Sequence, residues 1–181
     1  EDRVSGVSSK QEIREPMTEY RVTVGKEMLV FAAGQFITHG NGACESLHGH
    51  NYRVGVTLSG DLDHHSLVYD FIALKRDMES LLSELDHRTL LPTLNPELDV
   101  TMVTGGEVEA RHATSRYVFP ESDVVLLPIP NTTAERLAEY LCGRLVHNLS
   151  QAGSDRIHRV QIEVEETPGQ SAFFVRVLGD S

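Results

Sequence analysis

The segment ACESLHGHNYRVGV, residues 43–56, places a thiol (Cys44), a carboxylate (Glu45) and two imidazoles (His48 and His50) ahead of an apolar alternating run. Side chains along a strand alternate between its faces, so His48 and His50 share a face with Tyr52, Val54, Val56 and Leu58. Two imidazoles one strand period apart suit a shared tetrahedral ion such as zinc. Gly49 between them permits close backbone approach. The same spacing also fits two hydrogen-bonded core histidines at a strand entrance, and the pair alone does not separate these readings. A thiol four residues before a metal-binding pair can serve as base or nucleophile, because a nearby cation lowers its pKa. Its other reading, a buried inert thiol, is disfavoured by the polar, glycine-rich loop around it.

Two further groups carry potential chemistry. Val160, Ile162 and Val164 form one face of a late strand, and Glu166 continues that row, with Glu163 and Glu165 expected to point outward. A carboxylate at the end of a core-facing row needs a partner. A salt bridge would serve, and so would the two parallel N–H donors of a flat heterocycle with a guanidine-like edge. Asp86-His87 ends a predicted helix. A carboxylate beside an imidazole orients or charges it for proton transfer, although a histidine at a helix C-terminus is also favoured electrostatically.

The elements that must position these groups follow from periodicity. YRVTVGKEMLVFAAGQF reads as one long strand with Gly25 marking a bulge or turn. Asp70 is the expected N-cap of a helix whose core stripe is Phe71, Leu74, Met78, Leu81, Leu82 and Leu85. Residues 98–117 read as a hairpin through Gly105-Gly106, and DVVLLPIP as a short buried strand. A second helix follows, with Thr132 and Glu135 as a capping box, and its buried face runs from Ala134 to Leu149 beside Cys142 as core filler. RVQIEVEE and SAFFVRVLG close the chain as a hairpin through TPGQ.

Composition bounds the function. The chain has 181 residues, 40% of them hydrophobic, and a formal net charge of −11. That charge argues against nucleic acid and anionic membranes as partners, while leaving room for a local cationic pocket. Two cysteines make no disulfide framework, which sets a cytoplasmic location as the expectation. Residues 1–17 read as a polar mobile arm ahead of one domain over 18–181.

The motifs CESLHGHNY, VYDF, LDHRTLL, NTTAERLA and EVEETPG, in this order, resemble the 6-pyruvoyltetrahydropterin synthase family, including its queuosine-pathway branch, 6-carboxytetrahydropterin synthase. The resemblance covers most of residues 18–180. It implies an α+β tunnelling fold, an antiparallel four-stranded sheet with two helices on one face plus the inserted hairpin. It implies a homohexamer, a dimer of trimers, with active sites between subunits. The implied activity is that of a zinc-dependent lyase acting on 7,8-dihydroneopterin triphosphate. Zinc would be held by His48 and His50, Cys44 would move a proton, and Asp86 and His87 would be its partners. Glu166 would grip the pterin, with Thr133 nearby. Triphosphate loss is the expected outcome, and in the queuosine branch the side chain is also cleaved to leave a carboxyl group.

Two positions qualify the resemblance. A folate-pathway branch replaces the thiol by glutamate in Glu-x-x-His-Gly-His and forms 6-hydroxymethyl-dihydropterin, and a combined branch carries both residues. CESLHGH fits the combined pattern, which adds Glu45 to the catalytic candidates; a solvated loop glutamate is its other reading. The family's third zinc histidine falls in Phe-x-Ala-x-His, where this chain has FAAGQF and therefore Gln35. A carboxamide oxygen is a poor zinc ligand beside imidazole. That leaves His39 swinging in, a water, or weak or absent zinc. Arg53, Lys26 and Lys75 are the candidates for the triphosphate. The alternative reading is a non-catalytic pterin-binding protein with a degraded zinc site.

Overall fold

A computed structural model describes residues 18–179, so the expected arm over residues 1–17 lies outside the described residues. The strands are β1 (Tyr20–Val24), β2 (Val30–Gln35), β3 (Thr38–His39), β4 (Ala43–Cys44), β5 (His48–Gly60), β6 (Arg88–Pro92), β7 (Asp99–Val103), β8 (Glu107–His112), β9 (Ser115–Pro120), β10 (Val124–Leu127), β11 (Ile157–Thr167) and β12 (Gln170–Val177). The helices are α1 (Phe71–Ser83) and α2 (Ala134–Gln151).

β5 organises the main sheet because it is 13 residues long and takes three strands along its two edges. On one edge β2 takes its first half, from Gln35 opposite His48 to Val30 opposite Arg53, and β1 takes its second half. The long strand expected over residues 20–36 is therefore two strands. A 3-10 turn at Lys26–Met28 bulges out between them, where the chain has more residues than the partner strand can match. β11 lies antiparallel on the other edge, and β12 beyond it.

The expected four-stranded antiparallel sheet is corrected to a mixed sheet of seven strands, in the order β10-β6-β2-β5-β11-β12 with β1 also on β5. α1 carries the chain back so that β6 lies parallel to β2, and β10 then lies parallel to β6. Leu90 and Leu91 are fully buried in β6, but an apolar run this short carries no period by which to recognise a strand. β10 is buried on one side only, with Leu126 exposed. The inserted hairpin is in fact a three-stranded meander, β7-β8-β9. It turns at Gly105 and Gly106, both at positive φ, and again near Ala113.

Both helices pack on one face of the main sheet. Tyr52, Val54, Val56 and Leu58 of β5 and Val160, Ile162 and Val164 of β11 meet Leu74 and Met78 of α1 and Leu137, Leu141, Cys142 and Leu145 of α2. Burial pushes the Cys142 thiol up to about 11, as expected of an inert core cysteine. Asp70 caps α1 by accepting from the Ala73 N–H at 2.8 Å. The cap of α2 is Thr133 rather than Thr132, since Thr133 accepts from the Arg136 N–H. Thr132 is drawn inward, its hydroxyl donating to the Phe36 carbonyl. A second core of Phe36, Leu91, Leu98, Val108 and Ala110 joins the meander to the sheet, with Tyr117 stacked on Phe36.

Glu165, expected to face solvent, is 4% exposed. It lies on the face of β11 away from the helices, where Lys26 folds over it from the bulge and bonds both Glu163 and Glu165, at 2.9 and 2.5 Å. Arg53 approaches Glu165 at 3.5 Å. Lys26 is pushed up to about 12 by these carboxylates, and the Glu165 carboxyl is lowered, first by Lys26 and then by the Gly169 N–H.

Two outcomes are expected. Because Glu165 titrates lower when folded, its contribution is fully present above the unfolded value of about 4.3 and disappears as pH falls through the folded value. Glu165→Gln should therefore flatten the loss of urea midpoint between about pH 5 and pH 3; an unchanged slope would remove Glu165 from the acid response. At Gly60 an added Cβ would stand 2.4 Å from the Arg156 carbonyl oxygen, which is backbone and cannot swing aside. Gly60→Ala should cost about 1–3 kcal/mol, read as a lower urea midpoint.

Candidate active site

The pleat of β5 places His48 and His50 on the face that continues into Tyr52, and their rings meet edge to face with centroids 4.8 Å apart. His48 Nδ1 lies 2.8 Å from the Ser46 carbonyl. A carbonyl only accepts, so Nδ1 carries the proton and the Nε2 lone pair is left for another partner. Glu45 sits between two imidazoles, Oε1 3.2 Å from His39 Nε2 and Oε2 3.6 Å from His48 Nε2.

On the neighbouring strand Gln35 stands directly across from His48 and is wholly buried. Its Nε2 donates to Glu166 Oε1 at 2.5 Å. Tyr52 donates its hydroxyl to the same oxygen at 3.4 Å, and His50 Nε2 lies 3.5 Å from it. Burial, then the Glu166 charge, raises the Tyr52 phenol well above its ordinary value. Three strands thus converge on one carboxylate oxygen. Glu166 Oε2 makes none of these contacts.

Zinc is the ion that two paired imidazoles suit best. The two imidazoles suit it, but the third position carries a carboxamide whose N–H is given to Glu166, and its oxygen is the softer site's wrong partner. His39 is turned toward Glu45 and its side chain is half exposed. Among the described residues no three His, Cys, Asp or Glu side chains are grouped to hold an ion. The residues present do not make a three-ligand zinc site.

Asp86 and His87 form a pair. Asp86 Oδ1 accepts from the Ala32 N–H at 2.8 Å, and Oδ2 lies 2.9 Å from His87 Nδ1. The Ala32 N–H is the main cause of the lowered Asp86 carboxyl, with His87 adding to it. His87 has φ of 57°, a left-handed backbone that costs a non-glycine residue strain. The His87 N–H bond to the Ala32 carbonyl holds it there. This locks an exposed imidazole against β2 by its Nδ1 side and leaves Nε2 outward.

Two clefts open near these groups, one of them lined by Glu166 itself. One, of about 470 Å³, is lined by His50, His87, Arg88, Thr89 and Asn51 over Gly34 and Gly49. The other, of about 510 Å³, is lined by Glu166, Thr133, His39, Asn131, Glu135 and Ser171. Glu166 and Thr133, both expected to contact a ligand, therefore share one cleft, and His87 and His50 share the other. Cys44 lines neither cleft; it borders the second core.

The thiol runs against its expected activation. Its pKa is raised, first by burial and then by the charges of Glu45 and Glu97. No cationic side chain stands among these causes, so the protein's own groups do not lower it. The expected triphosphate cations are also committed elsewhere: Lys26 and Arg53 to the Glu165 cluster, and Lys75 to Glu79 on the surface of α1. Arg88, not singled out by sequence reasoning, lines the His87 cleft. Its position beside Asp86-His87 in LDHRTLL was the available signal. The Tyr52 hydroxyl was read only as core.

The sequence model of the 6-pyruvoyl tetrahydropterin synthase family matches residues 24–176. The chain belongs to this family. A protein of Methanocaldococcus jannaschii, provisionally named 6-carboxy-5,6,7,8-tetrahydropterin synthase, is 33% identical over 143 residues, covering 78% of this chain and 87% of that protein. The solved Plasmodium falciparum 6-pyruvoyl tetrahydropterin synthase superposes with a TM-score of 0.82 at 30% identity, over 90% of this chain and all of that one. The Plasmodium vivax enzyme gives the same TM-score and coverage at 27% identity. In two solved variants of the latter, a glutamate named as a catalytic residue is replaced by alanine and by cysteine. The pterin synthase fold thus agrees with the mixed curled sheet and paired helices seen here.

The raised thiol gives a test. In a Cys142→Ser background, iodoacetamide alkylation of Cys44 should rise only above the ordinary thiol range, and Glu97→Gln should shift the profile to lower pH by removing a charge that opposes the thiolate. A profile below the ordinary range would show an activating cation instead.

Proposed function

We propose that this pterin synthase family member is a lyase acting on 7,8-dihydroneopterin triphosphate, in the manner of a 6-carboxytetrahydropterin or 6-pyruvoyltetrahydropterin synthase. The observation that carries the reading is Glu166: one carboxylate oxygen is held by Gln35 and Tyr52 beside His50, at the edge of a cleft shared with Thr133. A pterin ring offers parallel N–H donors along one edge, and a pre-oriented carboxylate meets them at little cost in rotamer entropy. The remaining Glu166 oxygen is the one left for that edge.

Proton movement then falls to groups at the rims. His87, held through Nδ1 by Asp86, presents Nε2 as donor or acceptor to the substrate side chain. Cys44 and Glu45 supply the second proton-bearing group from the neighbouring loop. Glu45 draws support from its place between His39 and His48 and from the catalytic glutamate named in the Plasmodium vivax relative. It keeps 6-hydroxymethyl-dihydropterin among the products to be sought, alongside the carboxy and pyruvoyl forms of the queuosine and pterin branches. Within one chain Cys44 and His87 line different surfaces. A homohexamer with sites between subunits would bring the thiol of one protomer to the imidazole of the next. Arg88 beside His87 is then the cation placed for the triphosphate. These roles need no zinc, whose ligand set the donors do not fit.

The raised thiol and the carboxamide at position 35 favour a second reading, a family member that binds pterin without turning it over. Incubation with 7,8-dihydroneopterin triphosphate, with products separated by chromatography and read by pterin fluorescence, decides between them. Turnover is expected, with kcat lowered by about 10²–10⁴ in Cys44→Ala or His87→Ala. Glu166→Gln should weaken pterin binding by at least about tenfold. Binding without turnover would select the second reading, and absence of both would end each of them.

A further inference from the structure

Cys44 and Glu45 close a hairpin that has little structure of its own. Its strands β3 and β4 have two residues each, joined through Gly40, Asn41 and Gly42, with Gly42 at φ of 77°. A two-stranded hairpin this short does not hold itself together in water. It pairs Thr38 with Cys44, and the Glu45 N–H donates to the Ile37 carbonyl at 2.9 Å. That bond flanks the Thr38–Cys44 pair, so these two residues exchange no bond with each other, and the N–H and C=O of Thr38 point away from β4.

Both groups are taken by one side chain. Asn131, in the segment that leads into α2, donates through Nδ2 to the Thr38 carbonyl at 2.9 Å and accepts the Thr38 N–H on Oδ1 at 3.4 Å. A carboxamide has the donor and the acceptor of a peptide unit, so Asn131 stands in for one residue of a third strand. Its Oδ1 also accepts the Thr132 N–H at 3.1 Å, which holds the side chain in place. The Thr38 hydroxyl goes to a second carboxamide. Asn95 Nδ2 donates to it at 2.8 Å, and buried Asn95 is itself locked by accepting the Glu97 N–H on Oδ1. All three polar groups of Thr38 are thus held by side chains 57 and 93 residues further along the chain. Asn131 lines the Glu166 cleft together with Thr133 and with Thr38 and His39 of the hairpin, whereas Asn95 lines neither cleft. We propose that Asn131 and Asn95 are positioning residues for the reaction: through Thr38 they hold the hairpin of Cys44 and Glu45 in fixed register with the wall of the Glu166 cleft. Neither moves a proton. Their contribution falls on the chemical step rather than on affinity, because a misplaced proton-bearing group loses rate without loosening the grip on the ring. This rests on the pterin reading above, and goes beyond it in naming what places the thiol and the carboxylate.

Two readouts test it. The first, hydrogen exchange followed by mass spectrometry, needs no substrate. In Asn131→Ala and in Asn95→Ala, exchange over residues 36–47 should quicken by at least about tenfold, the effect of one lost hydrogen bond, while β5 and the interior of α2 keep wild-type protection. The second is turnover of 7,8-dihydroneopterin triphosphate. In both variants kcat should fall about tenfold or more, with the Kd for neopterin, by fluorescence titration, within about twofold of wild type. Thr38→Val keeps the branching and removes the hydroxyl, so it should reproduce Asn95→Ala, while Thr38→Ser should behave as wild type. Thr38→Val combined with Asn95→Ala should lose no more than either alone, since both break one bond. Exchange over residues 36–47 that stays at the wild-type rate, or that quickens with kcat unchanged, would overturn the proposal. Faster exchange throughout the chain would also overturn it, by making both carboxamides supports of the fold as a whole. So would a neopterin Kd raised about tenfold in Asn131→Ala with kcat intact, which would make Asn131 a ligand contact. Should wild type neither bind nor turn over a pterin, the pterin reading fails and the assigned reaction with it, while exchange over residues 36–47 still decides whether the two carboxamides hold the hairpin.

Discussion

A single carboxylate oxygen ties the structure together. Glu166 Oε1 is approached by an amide from β2, a phenol and an imidazole from β5, and its own strand β11. The three strands are neighbours in the sheet, so their register is what brings these groups to one point. Strand side chains have a period of two, and a slip of one residue in β5 would turn His48, His50 and Tyr52 to the opposite face together. The apolar tail of the same strand, Val54, Val56 and Leu58, is fully packed under the helices and opposes such a slip. The hydrophobic core thereby fixes the polar site, and Tyr52 belongs to both.

The end of β11 shows how one strand serves two electrostatic demands. Glu165 and Glu166 are adjacent and face opposite sides. Glu165 is neutralised by Lys26 and Arg53 on the side away from the helices. Glu166 is met by neutral donors from Gln35 and Tyr52 on the other. Ordinary strand alternation turns the two carboxylates to opposite faces. A cation in place of the neutral donors would satisfy Glu166 completely and remove its use as an acceptor for a ligand. Amide and phenol hydrogen bonds orient it and leave its charge available. In a chain of net charge −11, where Lys26, Arg53 and Lys75 are all held by carboxylates, that distinction separates structural acids from a binding one.

What the sequence disclosed follows the same division between periodic and non-periodic features. The inward face of β5, the stripes of both helices apart from Phe71, which is exposed, the Asp70 cap and the inward turn of Gln35 and Glu166 were legible because each is a matter of period or of one local bond. β6 and the parallel pairings were not, since direction in a sheet is set by how a crossover returns, and RTLLP is too short to show a period. The third strand of the meander was hidden because the turn near Ala113 lacks a glycine pair. The Thr132 assignment failed by one residue, as Thr132 is consumed by the Phe36 carbonyl. The setting of Cys44 was hidden for a different reason. A sequence places a thiol near histidines, but the environment that sets its pKa comes from Glu97 and from the second core, far along the chain.

The placement of the inserted meander gives that last point a structural cause. Phe36 follows Gln35 directly and carries Tyr117 of β9 on its ring. The same small core is bordered by Cys44 on β4 and receives Leu98 and Val108 from the insertion. The insertion is therefore bonded by packing to the residue after the Glu166 clamp and to the wall of the thiol. Its own charges are internally settled, since Glu109 pairs with both Arg111 and Arg116, so it brings no net cation to the loop. It buries Cys44 on one side while Glu45 and Glu97 stand near it. Burial and like charge act in the same direction on a thiol. Among the protein's own groups, the surroundings of Cys44 therefore favour its thiol form over the thiolate.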